Sequence, residues 1–127
     1  DLAVMHKTRP RHNEAEIHQV IGNVFGKTCI IFDDMIDTGG TVSKAREILE
    51  KSGANTTIYL AATHAVFSRT AIERLKKAQF SEVVVTDTIP VRKEDFFRGL
   101  KVLSVAPLIA EAITRVATSE SISTLFL

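Results

Sequence analysis

Apolar and polar positions alternate along this chain in two distinct periods. From Lys27 to Phe32 a short run of β-branched and aromatic residues, too short for a typical helix, ends in Asp33-Asp34 and reads as a buried strand. After Gly39-Gly40 the apolar residues Val42, Ala45, Ile48 and Leu49 fall on one helical face, and Ser52-Gly53 supplies a stop. Thr56 to Ala62 repeats the strand pattern, and Ala71, Ile72 and Leu75 mark a second helix that closes in Lys76 and Lys77, as the helix dipole favours. Two further strands are expected at Glu82 to Thr86 and Lys101 to Val105. Pro107 then suits the first turn of a helix through Leu108, Ile109, Ala112 and Val116. Strands alternating with helices predict an α/β domain with a parallel sheet and helices on both faces.

The amino-terminal part is less regular. Leu2 to Met5 reads as a strand and Ile17 to Val24 as an additional one. The intervening polar and basic run from His6 to Asn13, interrupted by Pro10, is expected to be a mobile loop. The start at Asp1, without an initiator Met, suggests a piece of a longer protein.

Composition narrows the class. The 127 residues suit one domain, spanning 1–127, with no internal repeat or linker. A hydrophobic share of 45%, a charged share of 24% and a net charge of +1 create no global attraction to nucleic acid or membrane. The single Cys29 excludes an internal disulfide and any Cys-pair metal motif, which suits a reducing, cytoplasmic setting. No apolar run approaches the roughly 18 residues that span a bilayer.

Candidate chemistry concentrates in Asp33-Asp34-Met35-Ile36-Asp37-Thr38-Gly39-Gly40-Thr41, between a strand and the start of a helix. A helix amino terminus presents unpaired N–H groups and partial positive charge, so a phosphate can sit there without a cationic side chain. Gly39 and Gly40 remove Cβ atoms from its path, Thr38 and Thr41 add hydroxyls, and Asp33 and Asp34 suit vicinal sugar hydroxyls. The same Asp-Thr-Gly-Gly types also make a plain turn and helix cap. Carboxylates directly after a buried strand tip the balance, because α/β sheets bind ligands at the carboxyl ends of their strands. The stretch contains neither Gly-x-x-x-x-Gly-Lys nor Gly-x-Gly-x-x-Gly, which argues against a nucleotide β,γ-phosphate cradle or a dinucleotide site here. His64 has no second ligand at metal-binding spacing and reads as a structural or interface residue.

This loop resembles the phosphoribosyl-binding loop of type I phosphoribosyltransferases and ribose-phosphate pyrophosphokinases. Its surroundings are similar to the second group: Asp1 to Arg11 resembles the flexible catalytic loop, and Ala62-Thr63-His64-Ala65-Val66-Phe67-Ser68 resembles another family segment. Asp87-Thr88-Ile89-Pro90, Leu103 to Pro107 and Glu120 to Phe126 match as well, so the likeness covers essentially the whole chain as the family's carboxyl-terminal half.

The resemblance implies transfer of the diphosphoryl group of ATP to the anomeric hydroxyl of ribose 5-phosphate, with magnesium whose ligands are expected mainly in the amino-terminal half. It implies Lys7 and Arg9 as the catalytic pair. It assigns Arg9, Asp33, Asp34, Asp37, Thr38, Gly39, Gly40 and Thr41 to ribose 5-phosphate, and assembly into homo-oligomers. Asp37 sits oddly beside a phosphate and either fixes the loop through its backbone or approaches the anomeric centre. Arg11 and His12 have no such assignment and read as surface groups.

Ser121 and Phe126 fall in a segment that the resemblance links to an intersubunit allosteric site for phosphate or ADP. A tail docked by burial of Leu125, Phe126 and Leu127 fits the same residues. Arg69 stands where such proteins often have glycine, and Lys93 to Gly99 matches no family motif. A non-catalytic regulatory subunit and a nucleobase phosphoribosyltransferase remain alternatives.

Overall fold

A computed structural model of the chain describes residues 1–11, 14–68 and 70–126, with side chains throughout except at 6–11 and 14–19. The chain begins with an antiparallel hairpin, β1 (Val4–Arg11) and β2 (Glu14–Ile21). It continues through β3 (Cys29–Ile36), α1 (Gly40–Lys51), β4 (Ile58–Ala65), α2 (Ala71–Ala78), β5 (Glu82–Thr86), β6 (Leu100–Leu103) and α3 (Ala106–Ala117). Strands β3, β4, β5 and β6 form one parallel sheet in that order. Short 3₁₀ turns lie at Lys93–Asp95 and Ser123–Phe126.

The α/β class with a parallel sheet agrees with the hydrophobic pattern. One face of the sheet presents Ile31, Leu60, Val83 and Val85, which are buried with Val42, Ala45 and Leu49 of α1 and Ala71 and Leu75 of α2. Val20 of β2 and Met5 of β1 close the edge of this core, so the hairpin packs on the same layer as α1. On the other face of β3, Ile30 and Phe32 are exposed, and α3 has no buried residue.

Three expectations require correction. The run from His6 that was expected to be a mobile loop is strand through Arg11, paired with β2. Each member of a two-stranded sheet has a free edge, where proline is tolerated because its missing N–H costs no ladder bond. The register shift between Thr8 and Arg11 spans Pro10. His12 and Asn13 lie outside the described residues.

The strand expected to stop at Phe32 continues through Asp33 and Asp34 to Ile36, with Asp33 beside Ala62 and Ile36 beside Ala65. Its buried positions are Ile31 and then Ile36, an odd separation that breaks the two-residue alternation of a strand. Strand β4 changes phase beside it, from Ala62 to Ala65, and therefore also runs past its expected end. Finally, Phe126 is 73% exposed, so the tail is not docked through that ring. The tail is tied instead to α3 by Arg115 Nη1, which donates to Ser121 O at 3.2 Å and Thr124 Oγ1 at 2.7 Å.

Candidate functional site: the turn from β3 into α1

The segment Asp33–Thr41 spans the carboxyl end of β3 and the first turn of α1. Gly39 is the helix N-cap and adopts a left-handed conformation, φ 74° and ψ 0°, which glycine reaches without steric cost. It supplies no side-chain cap, and the first turn of α1 holds no acidic residue. The amino end of α1 therefore keeps its electropositive character available to an anion. Thr38 Oγ1 accepts the Gly40 N–H in a long bond of 3.4 Å, turning the hydroxyl towards the same backbone.

The turn is braced from outside. Ile36 O accepts Phe67 N–H at 3.0 Å, Asp37 O accepts Ser68 N–H at 3.0 Å, and Arg74 Nη1 donates to Thr38 O at 3.2 Å. Phe67 itself holds a left-handed φ of 45° with its ring buried. Backbone strain of this kind persists where the surroundings over-determine it. Arg74 lies on α2, thirty-six residues from Thr38, and no pattern local to the loop points to it.

The carboxylates take different positions. Asp33 is half-buried and its Oδ1 accepts Asp34 N–H at 3.0 Å; Asp34 is exposed and its Oδ1 accepts Met35 N–H at 2.8 Å. Asp33 and Thr41 line one cavity of about 620 Å³, walled also by Ile31, Phe32 and the amino-terminal segment from Asp1 to Met5. Lys27, at its rim, pairs with Asp1. Asp37, Thr38, Gly39 and Gly40 are not among its walls, so the turn and the cavity are adjacent rather than identical. Asp37 is exposed, and its backbone carbonyl is the group engaged by Ser68.

Lys7 and Arg9 stand on β1, but their side chains lie outside the described residues. His64 Nδ1 is 2.9 Å from Thr88 Oγ1, and Thr86 Oγ1 and Thr88 Oγ1 both donate to Thr63 O, at 2.7 and 3.1 Å. This knots the carboxyl ends of β4 and β5 together. Asp87 accepts Val105 N–H at 2.8 Å, and hydrogen bonds from Ser104 and Val105 hold its carboxyl below the ordinary range. Ser121 and Phe126 lie on the tail beside α3, and Arg69 lies outside the described residues. No group of three or more His, Cys, Asp or Glu gathers for a metal among the described residues, and no described helix is long and apolar enough to cross a membrane.

Residues 4–127 match the family model described as Phosphoribosyl synthetase-associated domain. The chain is 52% identical over 125 residues to a ribose-phosphate pyrophosphokinase of Gloeobacter violaceus, covering 98% of this chain and 37% of that protein. It is 49% identical over 125 residues to ribose-phosphate pyrophosphokinase 2, chloroplastic, of Spinacia oleracea, covering 98% of this chain and 31% of that protein. The crystal structure of phosphoribosylpyrophosphate synthetase from Mycobacterium smegmatis is similar with a TM-score of 0.75 and 43% identity, over 86% of this chain and 35% of that one. The chain thus spans about a third of the length of these relatives.

Proposed function

The chain belongs to the Phosphoribosyl synthetase-associated domain family, and from that premise we propose that it is the ribose 5-phosphate-binding, carboxyl-terminal half of a ribose-phosphate pyrophosphokinase. The parent enzyme transfers the diphosphoryl group of ATP to the anomeric hydroxyl of ribose 5-phosphate, releasing AMP. The observation that carries the reading is the Asp37–Thr41 turn, where a left-handed Gly39 opens α1 with neither a side-chain cap nor an acidic first turn.

In this reading the 5-phosphate takes hydrogen bonds from the turn's backbone and from the Thr38 and Thr41 hydroxyls, while Asp33 and Asp34 accept from ribose hydroxyls. Asp37, braced through its carbonyl, shapes the turn. Lys7 and Arg9, carried on the β1–β2 hairpin, cancel charge on the phosphoryl oxygens in flight; such transfer depends chiefly on positioning and electrostatic stabilisation. A planar guanidinium fork suits that role. Magnesium, when bound with ATP, supplies further charge neutralisation, with its ligands mainly in the amino-terminal half. The parent enzyme works in the cytoplasm as a homo-oligomer, and this 127-residue segment alone has no meaningful turnover.

The test is a titration of the chain with ribose 5-phosphate, ribose and inorganic phosphate, read by the amide shifts of Asp33 to Thr41. Shifts confined to that segment, and larger for ribose 5-phosphate than for either fragment, are expected. No response there to any of the three would overturn the assignment of the site to this segment.

A further inference from the structure

Arg74 belongs to α2, yet it acts on the turn before α1. Its Nη1 donates to the Thr38 carbonyl at 3.2 Å, and the same nitrogen lies 3.2 Å from the point a Cβ on Gly40 would occupy. The guanidinium is therefore laid along the backbone of the turn. The start of α2 approaches the same backbone: a Cβ on Gly39 would come within 3.4 Å of Ala71 O and 3.5 Å of Ala71 Cα. Just ahead of α2, Ser68 N–H holds Asp37 O at 3.0 Å, and Ser68 O accepts Ala71 N–H at 2.8 Å. Asp37 and Thr38 are thus held from the α2 side by a backbone bond and a side-chain bond, and Gly39, next in the chain, faces the start of α2.

The Arg74 bond differs chemically from the Ser68 bond because its donor is charged. A charge-assisted bond to a carbonyl is stronger than a neutral one. It also polarises the peptide it engages, so the N–H of that peptide, here the one of Gly39, becomes the better donor. We propose that Arg74 is a positioning residue for the phosphate end of the turn. It fixes the Thr38–Gly39 peptide so that Gly39 keeps its left-handed conformation and the turn's N–H groups are arranged before a ligand arrives. This rests on the reading of the turn as a sugar-phosphate site, and it assigns Arg74 no contact with the ligand.

The experiment compares this chain with Arg74→Met and Arg74→Lys by amide hydrogen exchange without ligand and by ribose 5-phosphate titration. Lysine keeps the charge but lacks the planar fork. In Arg74→Met the amides of Thr38 to Ser43 are expected to exchange about tenfold faster while those of β4 and β5 are unchanged, and ribose 5-phosphate affinity is expected to fall about tenfold. Arg74→Lys is expected to recover part of both. Unchanged exchange in the turn of Arg74→Met overturns the proposal whatever the affinity. Full recovery of affinity by lysine, with inorganic phosphate weakened as much as ribose 5-phosphate and turn exchange unaltered, identifies a charge effect and overturns it too. If Arg74→Met raises exchange throughout the chain, the comparison of turn and sheet in Arg74→Lys decides. If the unsubstituted chain binds no ribose 5-phosphate, the functional reading fails, while the exchange comparison still judges the role of Arg74.

Discussion

Gly39 and Gly40 are neighbours of the same type with different reasons to be glycine. Gly39 has a left-handed φ of 74°, with ordinary contact room for a Cβ beside Ala71, whereas Gly40 has no such φ and a Cβ there would lie 3.2 Å from the Arg74 guanidinium. Alanine at Gly39 is expected to cost about 1–2 kcal/mol for the left-handed conformation alone. Alanine at Gly40 is expected to cost less, by urea unfolding of each variant. Both are expected to weaken ribose 5-phosphate binding, Gly39→Ala by disturbing the left-handed turn and Gly40→Ala by crowding the Arg74 guanidinium that braces Thr38 O; their Cβ atoms would point towards α2 rather than into the path of a phosphate. Equal stability losses for the two would show that conformation does not separate them. The residue types were readable from the chain, since two glycines before a helical stripe signal close backbone approach. Which one needs the unusual φ was not, because that depends on the backbone path.

Among the elements, the junction of β5, β6 and α3 carries a pH-dependent clamp. Asp87, just after β5, accepts the Val105 N–H that leads into α3. Its carboxyl is held below its ordinary value of 3.8 by the Ser104 hydroxyl and then by Val105 N–H. A depressed folded value means the clamp contributes fully above the ordinary carboxylate value and is lost as pH falls through the folded one. Thermal midpoints of the wild type and Asp87→Asn are therefore expected to differ near neutrality and to converge below about pH 4. A gap that persists unchanged in acid would mean that the carboxylate's charge is not what stabilises the junction. Here the elements were legible and the clamp was not: Asp87-Thr88 was singled out by resemblance, but its partner Val105 is eighteen residues away.

At the scale of the whole molecule, the open side of the sheet and the last helix leave substantial apolar surface. Phe32 is 78% exposed, and Ile113 and Val116 are each 64% exposed. Surfaces of this kind on a segment about a third as long as its relatives behave as interfaces. The chain is expected to self-associate, with a weight-average mass that rises with concentration in sedimentation. Phe32→Ser together with Ile113→Ser is expected to lower that rise. Monomer at every concentration would show that these faces are tolerated in water.

What the amino-acid sequence determined by itself is the order of strands and helices from β3 onward and the residue types of the β3–α1 turn. Both are local: a strand or helix writes its period into consecutive residues, and a helix start with Thr, Gly and Gly needs no distant partner to be recognisable. The tertiary structure decided the rest. The polar run from His6 became a strand because β2 pairs with it, a contact that leaves no apolar alternation in a two-stranded edge. Strands β3 and β4 extended to Ile36 and Ala65 because they change phase together, each invisible without the other. The turn acquired its brace from Phe67, Ser68 and Arg74, residues far along the chain that only the parallel packing of β3–α1 beside β4–α2 brings to its backbone. Such contacts depend on where two elements cross, and no single stretch of sequence encodes that.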